Sequence, residues 1–140
     1  MTPKALVHKW SRLFNTKNLG ELISLYGKHF VLMPTFSDKI ITNKEEMTKY
    51  YESVFTKNVK IRSLEERKTT RTVSNVIHGE YDFVSRSSSN RARYTFVFGV
   101  ENSDWKIICH HSSVIPGRSA FDRDFYRYLK RCNRYAEMKI

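Results

Sequence analysis

The segment that decides how this chain folds is ARYTFVFGVENSDWKIICHHSSVIP, residues 92–116. In its first part Tyr94, Phe96 and Phe98 alternate with Arg93, Thr95 and Gly99, the period of a strand with one covered face. The tetrad ENSD, residues 101–104, has the composition of a hairpin loop, and DWKIICHHSSVIP returns as a second long strand. Two more extended runs precede it. Val59, Ile61 and Leu64 open the first, and RTVSNVIHGEYDFVS, residues 71–85, forms the second, joined to the segment by the loop SRSSSNR. The second half of the chain therefore reads as a four-stranded antiparallel run. Strands this long curl where a bulge or a glycine interrupts them, and Gly79 and Gly99 are available.

The first half has helical spacing. Leu6, Trp10, Leu13 and Phe14 predict a helix over residues 5–16, and Leu22, Leu25 and Tyr26 predict a second short helix after Asn18 and Gly20. Residues 29–42 turn to short strands, with PTFSDK as the turn between VLM and II. Asn43 then caps a third helix whose third position is Glu46 and whose apolar stripe is Met47, Tyr50, Tyr51, Val54 and Phe55. Helices first and a sheet afterwards predict an α+β domain, with N-terminal helices packed on a strongly curved antiparallel sheet that encloses a pocket. Residues 1–116 form that domain, and residues 117–140 add a C-terminal helix. With 140 residues, 40% of them apolar, and nine Phe, eight Tyr and two Trp, one core can be filled.

Lys and Arg outnumber Asp and Glu by 25 to 14, a formal charge of +11, which favours anionic partners of some kind. Cys109 and Cys132 match neither a disulfide framework nor a CxxC metal pattern. No apolar run is long enough to cross a membrane, and MTPKALVHKW lacks the core of a cleavable leader, so the expectation is a soluble, cytoplasmic chain with both cysteines as thiols.

Strand alternation sorts the histidine segment. Trp105, Ile107, Cys109, His111 and Ser113 share one face, and Lys106, Ile108, His110 and Ser112 share the other. Trp105 and Cys109 mark the first face as interior, which turns His111 and Ser113 towards the pocket and leaves Ile108 and His110 outside. Adjacent histidines pointing apart make a poor chelate. Cys109 with His111 could supply two zinc ligands from one face, but His8, His29 and His78 have no ligand spacing, so no metal is expected and zinc is the alternative. Thr35 in the turn and Tyr50 or Tyr51 on the third helix can join His111 and Ser113, and spacing with Met47 and Val54 selects Tyr50. Four such groups can orient a water and one small planar substrate, or form a satisfied polar core. Arg93 and Tyr94 either border the pocket or serve sheet pairing.

Trp10, LYGKHFVLMPT, the KYY helix, GEYDFV, ARYTFVF and DWKIICHHSSVIP together resemble the iota-class carbonic anhydrases. That group lies in the nuclear transport factor 2-like superfamily, near the association domain of calcium/calmodulin-dependent kinase II. The resemblance runs from about Trp10 to Pro116 and implies a cystatin-like cone and reversible hydration of carbon dioxide to bicarbonate, in some members without a metal. It implies catalytic roles for Thr35, Tyr50, His111 and Ser113: the three hydroxyls hold the water and the substrate oxygens, and His111 takes the released proton. The family motif commonly reads HHHSS; its first position here is Cys109. The competing expectation is a non-catalytic association or ligand-binding domain of the same fold.

Beyond Pro116, Ser119 can cap a helix with Phe121, Phe125, Tyr128, Leu129 and Cys132 on one face and Arg123, Arg127, Lys130 and Arg134 on the other. Such a basic amphipathic helix packs on its own domain or a partner subunit, or meets nucleic acid or an anionic membrane. The outer sheet face carrying Ile108 and His110 is the expected homodimer surface.

Overall fold

The computed structural model describes residues 1–68, 75–116, 127–128 and 130–132. Helix α1, Pro3–Asn15, starts where the Thr2 hydroxyl accepts from the Ala5 amide and buries Leu6, Val7, Trp10, Leu13 and Phe14. Helix α2, Leu19–Ser24, is capped by Asn18. Strand β1, Tyr26–Met33, follows directly, so Tyr26 opens a strand instead of closing a helix. The two short strands expected over residues 29–42 are reduced to the end of β1 and one bridge, Leu32 to Ile41. Helix α3, Lys44–Thr56, begins as predicted, with the Asn43 side chain accepting from the Glu46 amide at 2.9 Å.

Strands β2, Lys60–Lys68, β3, Val76–Val84, β4, Ser89–Glu101, and β5, Asp104–Val114, are the antiparallel run. The sheet order is β1-β5-β4-β3-β2, and β1, which overlaps the region expected to form short strands, joins the antiparallel run by lying parallel to β5. The turn from β4 to β5 places Asn102 and Ser103 at φ 51° and 67°, the doubly left-handed turn whose twist matches a two-residue hairpin. Gly79 allows a close approach of β2 to β3. A Cβ there would lie 1.9 Å from the Glu65 carbonyl oxygen, so only glycine leaves β2 and β3 at this spacing.

The helices cover the concave face of the sheet. Inward residues Ile77, Tyr81 and Phe83 of β3 and Ala92, Tyr94, Phe96 and Phe98 of β4 meet Trp10, Phe14, Met47, Tyr51 and Val54 in one core. Trp10 stands at its centre, within 6 Å of the rings of Phe14, Tyr81, Phe96 and His110. The convex face of β2–β4 carries charge instead: Arg91 bridges Glu65, Glu80 and Asp82 at 3.0 to 3.1 Å, and Arg62 also reaches Asp82.

Both cysteines are free. No helix among the described residues is long and apolar enough to cross a membrane. The helix expected over residues 117–140 lies largely outside the described residues; residues 127, 128 and 130–132 are helical and exposed.

Candidate functional site

Strict alternation along β5 fails at one residue. Opposite β4, Val97 pairs with Cys109 and Phe98 with Ile107, so Ile108 is an extra residue with no partner. One inserted residue reverses the facing of everything beyond it. Ile107 points inward as predicted, but beyond the bulge His110 and Ser112 are the buried pair, 2% and 5% exposed. His111 is exposed, while Cys109 and Ser113 are half-buried. The expectation that His111 and Ser113 face the interior, with Ile108 and His110 outside, is corrected accordingly for all but Ile108. Arg93 lies exposed, and buried Tyr94 donates to the Glu65 carbonyl, which favours the sheet-pairing role for both.

A similar one-position correction applies to α3. Met47, Tyr51, Val54 and Phe55 form its buried stripe, and Tyr50 lies only partly covered at its edge. Tyr50 still carries a buried hydroxyl, which accepts from the Phe36 amide at 3.3 Å, and burial pushes its pKa up to about 12.

Inside the cone the polar groups form one connected chain. Tyr26 Oη lies 2.6 Å from Tyr51 Oη and 2.9 Å from His110 Nδ1, and it accepts from Trp10 Nε1 at 3.2 Å. Tyr81 Oη donates to Ser112 Oγ at 2.5 Å and lies 3.4 Å from His110 Nε2. Ser112 Oγ is also hydrogen-bonded to Thr35 Oγ1. Each hydroxyl owns one proton, so the pairing has a direction. Tyr81 spends its proton on Ser112, which makes His110 Nε2–H the donor to Tyr81 and leaves Nδ1 to accept from Tyr26. Tyr51 then donates to Tyr26. The chain runs Tyr51, Tyr26, His110, Tyr81, Ser112, and its last link joins Ser112 to Thr35, where either hydroxyl can donate.

Burial holds this network neutral. Desolvation, with the nearby His111 adding to it, lowers the His110 pKa to about 3. Burial likewise raises Tyr26, Tyr51 and Tyr81 well above the ordinary phenol range. His110 stacks flat on Phe96 with ring centres 3.9 Å apart, which fixes the imidazole plane. It is a fixed member of the chain, and protonating it outright near neutral pH is unfavourable.

Thr35 and Ser112 stand between two spaces. On the inner side is a cavity of about 10 Å³, room for about one water, lined by Tyr50, Tyr51, Tyr81, His110 and the aromatic core. On the outer side is an open cleft of about 330 Å³, lined by the 33–40 segment and by His111, Ser113 and Val114. All four expected site residues thus border this wall, though from opposite sides: Thr35 from both, Tyr50 from the inner space, His111 and Ser113 from the outer one. Tyr26, Tyr81, His110 and Ser112 were not expected. Tyr81 carried a readable signal, since GEYDFV alternation buries it and a buried phenol needs a partner. Among the described residues no three His, Cys, Asp or Glu side chains come together as metal ligands, so Cys109 and His111 lack a third ligand there. Burial raises the Cys109 thiol pKa, which disfavours the thiolate that zinc would need.

A helix-covered, curled sheet with a polar chain at its narrow end defines an α+β cone of the cystatin-like type. The family model of the SnoaL-like domain matches residues 4–117, and the chain belongs to that family. Among solved structures, one assigned as a calcium/calmodulin-dependent protein kinase II association domain, from Xanthomonas campestris, is 30% identical. Its TM-score is 0.64, with 81% of this chain and 85% of that one covered. A ketosteroid isomerase-like protein from Erwinia carotovora atroseptica has a TM-score of 0.67 at 17% identity, covering 83% and 95%. A nuclear transport factor 2-like protein of unknown function from Pseudomonas putida has a TM-score of 0.65 at 13% identity, covering 83% and 86%. No curated protein matches the sequence.

Proposed function

We propose that the chain is a carbonic anhydrase that hydrates carbon dioxide to bicarbonate in the outer cleft, using hydroxyls and an imidazole and needing no metal. The observation that carries this reading is the hydrogen-bond chain that reaches Thr35 through Ser112, at the wall of a cleft that also holds His111 and Ser113. Carbon dioxide binds against Thr35, and a water attacks its carbon. A carbon–oxygen bond forms, one carbonyl π pair moves onto oxygen, and the Thr35 hydroxyl donates to that developing charge. The water's proton passes to the His111 imidazole and from there to solvent. Ser113 holds the attacking water. Ser112, Tyr81, His110 and Tyr26 position Thr35 from behind, and Tyr50 closes the inner cavity. The resemblance to iota-class carbonic anhydrases supports the same chemistry. A cytoplasmic setting would keep both cysteines as thiols.

Stopped-flow hydration with chelator-treated protein tests this. Activity that survives the chelator and falls about a hundredfold in Thr35→Val, with the His111→Ala loss rescued by imidazole buffer, is the expected result. Wild-type protein no faster than buffer would sink the proposal. Activity restored only by zinc would transfer it to Cys109 and His111.

One observation favours a second reading, a non-catalytic association or ligand-binding domain. Every hydroxyl of the inner chain already has a protein partner, which is how a purely structural polar core is built. In either reading the exposed side chains of Ile108, Val114 and Val100 are the apolar surface for a homodimer, to be checked by sedimentation of Ile108→Glu. The basic segment after Pro116 is the candidate contact for nucleic acid or an anionic membrane, tested by deleting residues 117–140.

A further inference from the structure

A space larger than either of the two at the Thr35 wall lies beside them. It is a groove of about 930 Å³ between α3 and the loop joining β3 to β4. We propose that this groove binds an organic anion with an apolar body, such as an alkyl or aryl carboxylate.

Its floor is apolar. Ile41, Val54 and Val59 lie beneath it, and Phe36 stands in it with 38% of its surface exposed, its ring against Phe83 at 5.2 Å. An exposed phenylalanine on an apolar floor is surface that a flat or aliphatic body would cover. The walls are polar and differ in kind. Lys49 and Ser53 of α3 and its C-cap Lys57 fall at successive fourth positions and so line one wall as a single row. Lys39 faces them from the 36–41 segment. The remaining wall is the hairpin, with Ser85, Ser87, Ser88 and Asn90, which offers hydrogen bonds without charge.

Charge selects the ligand. Three ammonium groups border the groove against one carboxylate, Glu46. Lys49 has an exposed partner in Glu45 at 3.6 Å, whereas among the described residues neither Lys39 nor Lys57 has a carboxylate partner. An anion entering here meets two ammoniums that it need not take from an existing ion pair. An uncharged ligand gains only the floor, and a cation is repelled. The volume suits a ligand of drug size, far beyond what the inner cavity accepts. The groove shares Ser37 and Lys39 with the outer cleft and Phe36 and Tyr50 with the inner cavity, but its test reads binding and does not depend on the hydration chemistry.

The test uses the full chain and three probes: decanoate, the anionic dye 1-anilinonaphthalene-8-sulfonate, and uncharged N-phenyl-1-naphthylamine. Because the whole protein is basic, Lys39→Gln/Lys49→Gln/Lys57→Gln is compared with a control of equal charge change on α1, Lys4→Gln/Lys9→Gln/Arg12→Gln. Near-UV circular dichroism establishes that both variants keep the native core. The expected result is saturable binding of both anions, competition between them, and tenfold or greater weakening in the groove variant against less than twofold in the control. Amide shifts on decanoate addition should concentrate at residues 49–57 and 85–90. Equal weakening in both variants would make the effect one of net charge and overturn the site. So would equal affinity for the uncharged dye, or no saturable binding by wild-type protein.

Discussion

Acid should unfold this protein through one histidine. His110 is held neutral inside the cone, with its pKa lowered to about 3, whereas in the unfolded chain the same imidazole titrates near 6.5. Between those two values the unfolded state binds a proton that the folded state refuses, so stability falls as pH falls. The contribution is complete above the unfolded pKa and lost progressively down to the folded one. Each pH step in that window removes about 1.4 kcal/mol, and the whole window about 5 kcal/mol, comparable with the entire stability of a small domain. No carboxylate lies in the hydrogen-bond chain to rescue the charge; its other members are phenols and hydroxyls. The assay is urea unfolding from pH 7.5 to 4, for wild type and for His110→Gln, which keeps a donor and an acceptor at the ring position. Wild-type stability should drop about 1.4 kcal/mol per pH step more steeply than the variant below pH 6. Histidine NMR adds a direct reading, with His110 remaining neutral at pH 4.5. Parallel pH profiles, or a His110 resonance titrating near 6.5 in the folded state, would refute the reasoning.

Other outcomes follow from particular contacts. Gly79→Ala should destabilise by about 3 kcal/mol or more, since its Cβ would sit 1.9 Å from a backbone oxygen that cannot move without parting β2 from β3; thermal unfolding measures it. Tyr26→Phe removes the hydroxyl that serves Trp10, Tyr51 and His110 together, and should cost about 3 kcal/mol in chemical unfolding, more than the loss from Tyr50→Phe at the edge. Ser103→Gly relieves a left-handed serine at φ 67° and should raise the melting temperature, by about 1 kcal/mol of stability. A melting temperature unchanged or lowered in that variant would mean the turn is not strained.

Much of this fold was legible because its signals are local. The Asn43 cap, the helical spacing around Trp10, the two hairpin loops and the alternation of GEYDFV each depend on neighbours within a few residues, and each appears where the sequence places it. Thr35, Tyr50, His111 and Ser113 do gather at one wall, yet the groups buried behind it are Tyr51, His110 and Ser112.

Sequence alone determined the α+β order, the long hairpins, the basic surface and the concentration of hydroxyls and imidazoles near the end of β5. Tertiary structure decided which imidazole is buried. That choice rests on one unpaired residue, Ile108, and a bulge is a property of two strands in register: β5 cannot reveal it without the partner positions Val97 and Phe98 on β4. The same holds for β1, whose parallel place beside β5 takes Tyr26 from the end of a helix to the hub of the polar chain. A side chain's facing is periodic only while the ladder is regular, and the ladder is made by residues far apart in the chain.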